Sequence, residues 1–470
     1  MSTVSKNILW STGTSILQLY TGSAVFLVLA KILTVSDFGI LSFGFSLSAL
    51  VVIAADFGFS QMIIKDFPKH KLKFNSYHAN SILSKLILSI IAGSIFLLYL
   101  LFFFNGKWLM VGIIYIVFAI LYSFVIFYQT LLKLKNKFHK YTESTVIYAV
   151  FVTIIILYYY LSQPGLLVLV FLMLIARACQ LIWTLYISRE FITSVKFSKK
   201  ITVTLLKNSW SYGLQTILGI FYFMIDTQLI SLFLGADEVA LYQSVFRIIL
   251  ILLLFSDVVT NTFVPYLSFK LFNGKATSKL ITKIFFYLLL MGTSMFLLFT
   301  TFKNEIITTL YTSEYKSATI LVLPFSIVVV LRTVSAVLGN VLTISNKQVH
   351  KVIAGGVSLL VSLGLNLIFI PLYGIESAAW ISVLVHFILF VIYQYQVKKL
   401  DSSISIANFD NIASVILTIL LFLFIQLSSL PFMYLVLVSV CVWLLFLLFI
   451  LKRNNNFKFL LEILKDKGTE

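Results

Sequence analysis

Charge is scarce in this sequence: 11% of its 470 residues are charged and 60% are apolar, whereas an average soluble domain carries about a quarter charged residues. That balance excludes a water-soluble fold. Cysteine is almost missing. Cys179 and Cys441 are the two present, and both lie inside apolar blocks, so neither a disulfide framework nor a metal site is indicated. The N-terminus shows no small-residue cleavage site after a short apolar core, and Ser11, Ser15 and Gln18 interrupt its first apolar block. It reads as a retained membrane helix and not as a signal peptide. Acidic residues are few, 17 against 35 basic, for a net charge of +18. In a soluble protein that excess would suggest nucleic acid, but here the lysines sit in short connections between apolar blocks, as expected for loops facing anionic lipid.

What is present is a series of long apolar runs, such as 86–104 and 433–451, each near the ~20 residues needed to cross a bilayer as a helix. The windows predict fourteen helices near 9–33, 38–62, 81–104, 108–132, 145–163, 165–188, 209–234, 239–264, 284–302, 318–345, 352–371, 375–397, 411–429 and 431–451. Pro164 and Gly165 predict the tight turn between the fifth and sixth. The even-numbered connections, both termini and the adjoining helix ends hold 28 of the 35 basic residues. The odd-numbered connections hold four, Lys31, Lys107, Lys303 and Lys316. This asymmetry places both termini and the even loops in the cytoplasm. The longest external loop runs roughly over 303–317, too short for an extracytoplasmic catalytic domain.

The sequence also repeats itself at an offset of about 200 residues. Residues 7–13 resemble 208–213, 33–39 resemble 234–240, Asp56 falls on Asp257, and Asn136-Lys137-Phe138-His139-Lys140 is mirrored by Asn346-Lys347-Gln348-Val349-His350-Lys351 with one insertion. An offset of six helices, an even number, gives two copies of the same orientation related by an axis along the membrane normal. The expected organisation is an N-terminal lobe over 1–200, a C-terminal lobe over 201–400, and two further helices with a tail over 401–470. Such lobes enclose a cavity that opens alternately to either side.

Polar stripes mark the surfaces that should line it. Ser11, Ser15, Gln18 and Gly22 share a face of the first predicted helix, and Ser211, Gln215, Gly219, Tyr222 and Asp226 share one on the seventh. Gln243, Arg247, Asp257 and Asn261 fall within about 40° of each other on the eighth, and Arg332, Ser335, Gly339 and Thr343 are in similar register on the tenth. Any single Ser, Thr or Gly is better explained by helix packing; the aligned stripes carry the argument. The ionisable residues well inside predicted helices are Asp56, Arg177, Asp226, Arg247, Asp257, Arg332 and His386, each costing a few kcal/mol at membrane depth unless it faces protein or water. Asp226 and Arg247 lie about eight residues either side of one hairpin turn, which predicts an ion pair, either a structural clamp or an ion-coupled gate. Arg177 and Arg332, without acidic residues in sequence reach, suit an anionic ligand, because a guanidinium binds phosphate oxygens bidentately; capping of carbonyls is the structural reading. Asp56 and Asp257 fit symmetric cytoplasmic gating or helix capping. His386 is a titratable candidate, though a lone histidine is more often simply packed.

Several stretches resemble a known family. Leu29-Ala30-Lys31-Ile32-Leu33 through Asp37-Phe38-Gly39-Ile40, then Ala55-Asp56-Phe57-Gly58-Phe59, and above all Asn366-Leu367-Ile368-Phe369-Ile370-Pro371-Leu372-Tyr373-Gly374-Ile375-Glu376-Ser377-Ala378-Ala379 are similar to the polysaccharide-transporter flippases of the O-antigen type. These belong to the multidrug, oligosaccharidyl-lipid and polysaccharide exporter superfamily. Lys31 stands where the family often has Arg, and Ser377-Ala378-Ala379 where it has Gly-Ala-Ala. The resemblance implies a transporter and not an enzyme, one that moves an undecaprenyl-pyrophosphate-linked repeat unit for O-antigen, lipopolysaccharide or other surface polysaccharide to the outer leaflet of the cytoplasmic membrane. It implies a cationic cavity, mapped here to Arg177, Arg247 and Arg332, and coupling to a proton or sodium gradient. The partners expected are the lipid-linked oligosaccharide and membrane lipid, with a polysaccharide polymerase and chain-length proteins beside them. Two alternatives stay open: an ion-coupled multidrug exporter of the same superfamily, which would want acidic residues to dominate its cavity, and a membrane sugar polymerase or glycosyltransferase, which would want a longer external loop.

Overall fold

Apolar side chains in this number leave the backbone to satisfy its own hydrogen bonds inside lipid, which a helix does within a single segment. The computed structural model describes residues 3–66, 74–191, 198–272, 278–404, 408–427, 441–443 and 445–446, and helix is the regular structure throughout them. The first half of the chain begins with helix α1 (Thr3–Leu19), which passes through a π turn (Tyr20–Ala24) into α2 (Val25–Ile32). There follow α3 (Val35–Asp56), the short α4 (Phe59–Asp66), α5 (Phe74–Phe103), α6 (Gly106–Leu134), α7 (Phe138–Ser162) and α8 (Leu166–Ile187). The second half holds α9 (Lys199–Phe233), α10 (Ala236–Phe272), α11 (Ser278–Thr301), the short α12 (Lys303–Leu310) with a 3-10 stretch (Ser313–Leu321), α13 (Val322–Ile344) and α14 (Gln348–Leu400). Helix α15 (Phe409–Leu427) comes after them.

Eleven of these helices are long and apolar enough to cross a membrane, or twelve with the bent α9 counted. The chain is a multi-pass membrane protein. The 53-residue α14 contains the two predicted helices over 352–371 and 375–397, joined without a loop. It is not straight: Gly374 departs from helical geometry at φ 69°, ψ −158°, three residues after Pro371. Ser362 and Asn366 before that point and Ser382 after it all reach one carboxylate, so the chain must double back there. The last predicted helix, 431–451, falls mostly outside the described residues, and the count of fourteen is therefore not reached here. The second predicted helix ends earlier than expected, at Asp56, because Phe57 (φ 41°) and Gly58 (φ 73°) break it before α4.

The duplicated Asn-Lys turns fold alike. Asn136 and Asn346 both sit in the left-handed region, at φ 55° and 57°, a conformation asparagine tolerates better than most residues. The following Lys137 and Lys347 amides donate to Leu132 and Leu342 at 2.9 and 2.8 Å, the six-to-one bond that closes a helix C-terminus.

The two halves meet along α3. Near its start Gly39 lies so close to α10 that an added Cβ would stand 1.9 Å from the Ala236 carbonyl oxygen. Between these ends Gln228 of α9 donates to Ser46 Oγ at 2.5 Å. At the other end Gly58 packs on α9, where a Cβ would stand 2.3 Å from the Gly213 nitrogen. One buried cluster runs across this seam, from Val25 and Phe38 to Val245, Phe325 and Ala379. Outward-facing positions such as Ile90, Phe102, Leu161 and Leu360 are apolar and exposed, as lipid-facing side chains are.

Candidate functional site

The stripe on α13 faces a cavity of about 240 Å³ inside the second half. Arg332, Ser335 and Gly339 line it at spacings of three and four, opposite Ser256, Asp257 and Thr260 of α10. Helix α9 adds Tyr222, and α14 adds Lys351, His386 and Tyr393, drawn from both sides of its reversal. Thr343, the last member of the stripe, accepts a hydrogen bond from Lys351 Nζ at 3.0 Å, so the lysine reaches along α13 toward the cavity instead of into solvent. The cavity thus holds two strong cations, one carboxylate and several hydroxyls, within a helical wall that is apolar outside. His386 Nδ1 lies 2.7 Å from the Ser382 carbonyl and its ring meets Tyr222 edge to face at 5.7 Å.

A second polar cluster lies beside it. Asp226 is 2% exposed and accepts four hydrogen bonds, from Asn366 Nδ2 (2.9 Å), Ser382 Oγ (2.9 Å), Tyr242 Oη (2.9 Å) and Ser362 Oγ (3.2 Å). All four donors are neutral, and they come from α10 and from both arms of α14. The Asn366 amide oxygen is buried without a hydrogen-bond partner.

The predicted Asp226–Arg247 ion pair does not form. Arg247 instead donates to the Gly22 carbonyl at 2.7 Å, inside the π turn where the helical hydrogen-bond register shifts. Its guanidinium lies 3.8 Å from the Phe26 ring centre and 4.4 Å from that of Phe45. Equal depth in a hairpin was not enough, because the side chain points into the seam between the halves while Asp226 points into the second half. Arg177 is likewise out of the cavity. Its guanidinium lies over Tyr148, Tyr122 and Phe118 at 3.5, 4.1 and 4.5 Å and donates to Gln180, which in turn donates to the Ser144 carbonyl at 2.9 Å. Desolvated cation–π contacts are worth up to ~2 kcal/mol each, which explains how an arginine stays buried in the first half without a carboxylate. Of the three arginines expected to line one cavity between the lobes, Arg332 alone lines this one, which lies inside the second half and not between the lobes.

Asp56 and Asp257 are equivalent in sequence but not in environment. Asp56 pairs with Lys85 at 2.7 Å and takes the Ser60 amide and hydroxyl at 3.2 and 2.8 Å, whereas Asp257 faces the cavity. Lys85, grouped by sequence with the cytoplasmic loop charges, is fully buried in α5. The α1 stripe is spent within the first half: Ser15 Oγ donates to the Ser11 carbonyl of its own helix at 3.1 Å, and Gln18 to Tyr141 Oη of α7 at 3.4 Å. Gln243 is buried and donates to Thr227 Oγ1 at 2.6 Å. The side chains of Ser211, Gln215 and Asn261 lie outside the described part of the structure. Sequence reasoning missed Lys351, Ser362 and Ser382 as site residues, and used Asn366 only as a motif position; the four-residue spacing of Ser362 and Asn366 ahead of a Pro–Gly break was the available signal.

The model of the family described as polysaccharide biosynthesis protein matches residues 4–270. No curated protein matches the sequence. Among solved structures, the lipid II flippase MurJ in an inward closed conformation superposes with a TM-score of 0.73 at 16% identity, over 95% of this chain and 99% of that one. An inward-facing multidrug resistance MATE family transporter of the MOP superfamily gives 0.65 at 13% identity, over 84% and 98%. A MOP superfamily transporter from Pyrococcus furiosus, described as having a binding pocket of reverse polarity, gives 0.53 at 13% identity, over 91% and 96%.

Proposed function

The chain belongs to the polysaccharide biosynthesis protein family and has the fold of MOP superfamily transporters, and on that premise we propose that it is a flippase for a lipid-linked oligosaccharide. Its cargo is an undecaprenyl-pyrophosphate-linked repeat unit of O-antigen or another surface polysaccharide, carried from the cytoplasmic to the outer leaflet. The observation that carries this reading is the polar cavity inside the second half, where Arg332 and Lys351 face a single carboxylate, Asp257. An arginine at that depth offers a diphosphate a bidentate, permanently charged partner. Transport proceeds by alternating access between lobes 1–200 and 201–400, with 401–470 appended, and the protein resides in the cytoplasmic membrane with both termini inside, as the basic-residue asymmetry supports.

Coupling belongs to the Asp226 cluster. A buried carboxylate ringed by three hydroxyls and a carboxamide can hold a proton, or a sodium ion once the hydroxyls turn their oxygens inward. Either ion would neutralise Asp226 and change how Ser362, Asn366 and Ser382 hold the arms of α14, which also carry Lys351 and His386. A multidrug exporter is the second reading. It draws on Asp226 and Asp257 as sites for a cationic drug.

The test is a deletion strain. Lipid-linked repeat units should accumulate on the cytoplasmic leaflet and surface polysaccharide should disappear, with rescue by the wild-type gene and not by Arg332→Ala. Unchanged polysaccharide in a strain lacking other flippases, together with loss of resistance to cationic dyes, would replace this reading with the exporter.

A further inference from the structure

The two cations of the cavity stand at different depths. Lys351 is four residues into α14 and bonds to Thr343, which is eleven residues along α13 from Arg332. At ~1.5 Å of rise per residue, Thr343 and Arg332 are about 16 Å apart along the helix axis. Gly339 and Ser335 lie between them, both on the cavity wall, and the lysine stem passes Gly339, its Cε 3.9 Å from where a Cβ would be. Lys351 therefore guards the end of the cavity beside the α13–α14 turn, and Arg332 the deeper end.

Two further observations mark this wall as made for a ligand. The Ser256 and Ser335 hydroxyls line the cavity, are buried, and have no hydrogen-bond partner in the protein, an arrangement that costs stability unless something else satisfies them. The duplicated position in the first half is filled. Arg332 precedes Asn346 by as many residues as Tyr122 precedes Asn136, and there Tyr122, Tyr148 and Phe118 close around Arg177. The second half keeps open a space that its sister half packs with rings. Across it the Asp257 carboxylate lines the same cavity as Arg332.

We propose that this cavity is a two-station path for an esterified phosphate or diphosphate: Lys351 captures the group at the cytoplasmic mouth, and Arg332 receives it deeper in, displacing Asp257, with Ser256 and Ser335 completing the deep station. The assignment rests on the flippase reading for its cargo. At about 240 Å³ the space is smaller than the roughly 300–1,000 Å³ of pockets that enclose a whole ligand. It fits the phosphate-bearing segment and leaves sugars and lipid outside. With one carboxylate against two cations, a dianion gains more than a monoanion, which separates a diphosphate from an ordinary phosphodiester headgroup.

The test uses the full chain in phosphatidylcholine nanodiscs, titrated separately with undecaprenyl pyrophosphate, phosphatidylglycerol and inorganic pyrophosphate, with association and dissociation rates measured. Undecaprenyl pyrophosphate should bind. Arg332→Gln should weaken it about tenfold or more, mainly through faster dissociation, and Lys351→Gln about threefold to tenfold, mainly through slower association, as charges at a mouth act on capture. Asp257→Asn should tighten binding severalfold. Lys351→Arg, which keeps the charge, serves as a folded control and should retain most of the affinity, whereas Arg332→Lys keeps the charge without the bidentate fork and should fall between the parent and Arg332→Gln. Undecaprenyl pyrophosphate binding that is equal in all variants overturns the two-station path and moves the binding site elsewhere, while the lipid-linked cargo of the flippase reading stands. No tightening in Asp257→Asn, or the same rate being altered by both cation variants, also overturns it. Variant-sensitive binding of inorganic pyrophosphate or phosphatidylglycerol, with none of undecaprenyl pyrophosphate, supports the phosphate path and removes the proposed cargo.

Discussion

Asn366 Nδ2 lies 2.9 Å from the Asp226 carboxylate, across 140 residues of sequence. That bond ties α9 to the first arm of α14, and Ser382 ties the same carboxylate to the second arm. Asp226 is thus the point where the reversal at Gly374 is anchored to the rest of the second half, and an ion arriving there acts on three segments at once.

Asn366→Ala should therefore separate coupling from folding. Removing one donor from a buried carboxylate that keeps three others costs about 1–3 kcal/mol, visible as a lower melting temperature in detergent. Transport should fall further than the stability loss explains, and its dependence on the imposed proton or sodium gradient should flatten. Asp226→Asn should abolish gradient dependence altogether. A variant that keeps full gradient-driven transport at either position would remove Asp226 from the coupling role.

How much of this was legible beforehand follows from distance along the chain. The helical runs, the duplicated Asn136 and Asn346 turns and the Arg332–Ser335–Gly339 face depend on near neighbours, and all three are found in the structure. The partners of Asp226 lie 16 to 156 residues away, and Ser362 or Ser382 taken alone reads as packing. Arg247 and Arg177 lie within helices as expected but not in the expected direction, because aromatic faces compete for them and sequence spacing does not show which neighbouring helix supplies a ring.

Lys85 and Asp56 form a pair with the lysine side chain at 0% exposure and the aspartate at 15%. Breaking such a pair strands a charge and costs about 3–5 kcal/mol, whereas replacing both partners by apolar residues can be nearly neutral. Lys85→Met alone should lower thermal stability sharply, and Lys85→Met with Asp56→Leu should recover much of the loss. The recovery is limited by Ser60, whose hydroxyl and amide would lose their acceptor. A double variant less stable than Lys85→Met would show that the pair is not acting as a unit.

Gly39 has no room for a side chain against Ala236. A Cβ there must push α3 and α10 apart, a displacement that close-packed helices resist. Gly39→Val should hold the halves open at this end, so that cysteines introduced at exposed positions of the seam react faster with a membrane-impermeant thiol reagent than they do in the parent. Transport should stop even where the protein still folds. Unchanged labelling would mean that the contact is not part of any closing movement.

Arg177 and Arg332 are both arginines within the membrane, but their surroundings predict opposite behaviour. Arg177 is spent on three rings and Gln180; Arg332 faces the cavity. Arg177→Met keeps much of the apolar stem that lies among the rings and removes a charge that no carboxylate needs. It should lose about 1–3 kcal/mol of stability but retain most of the transport per folded molecule. Arg332→Gln should do the reverse, folding with little change while transport falls by about tenfold or more. The comparison is made on reconstituted protein normalised to folded amount. If the Arg177 variant proves the more damaging to transport, the anion site lies in the first half and the cage around Arg177 must open to form it.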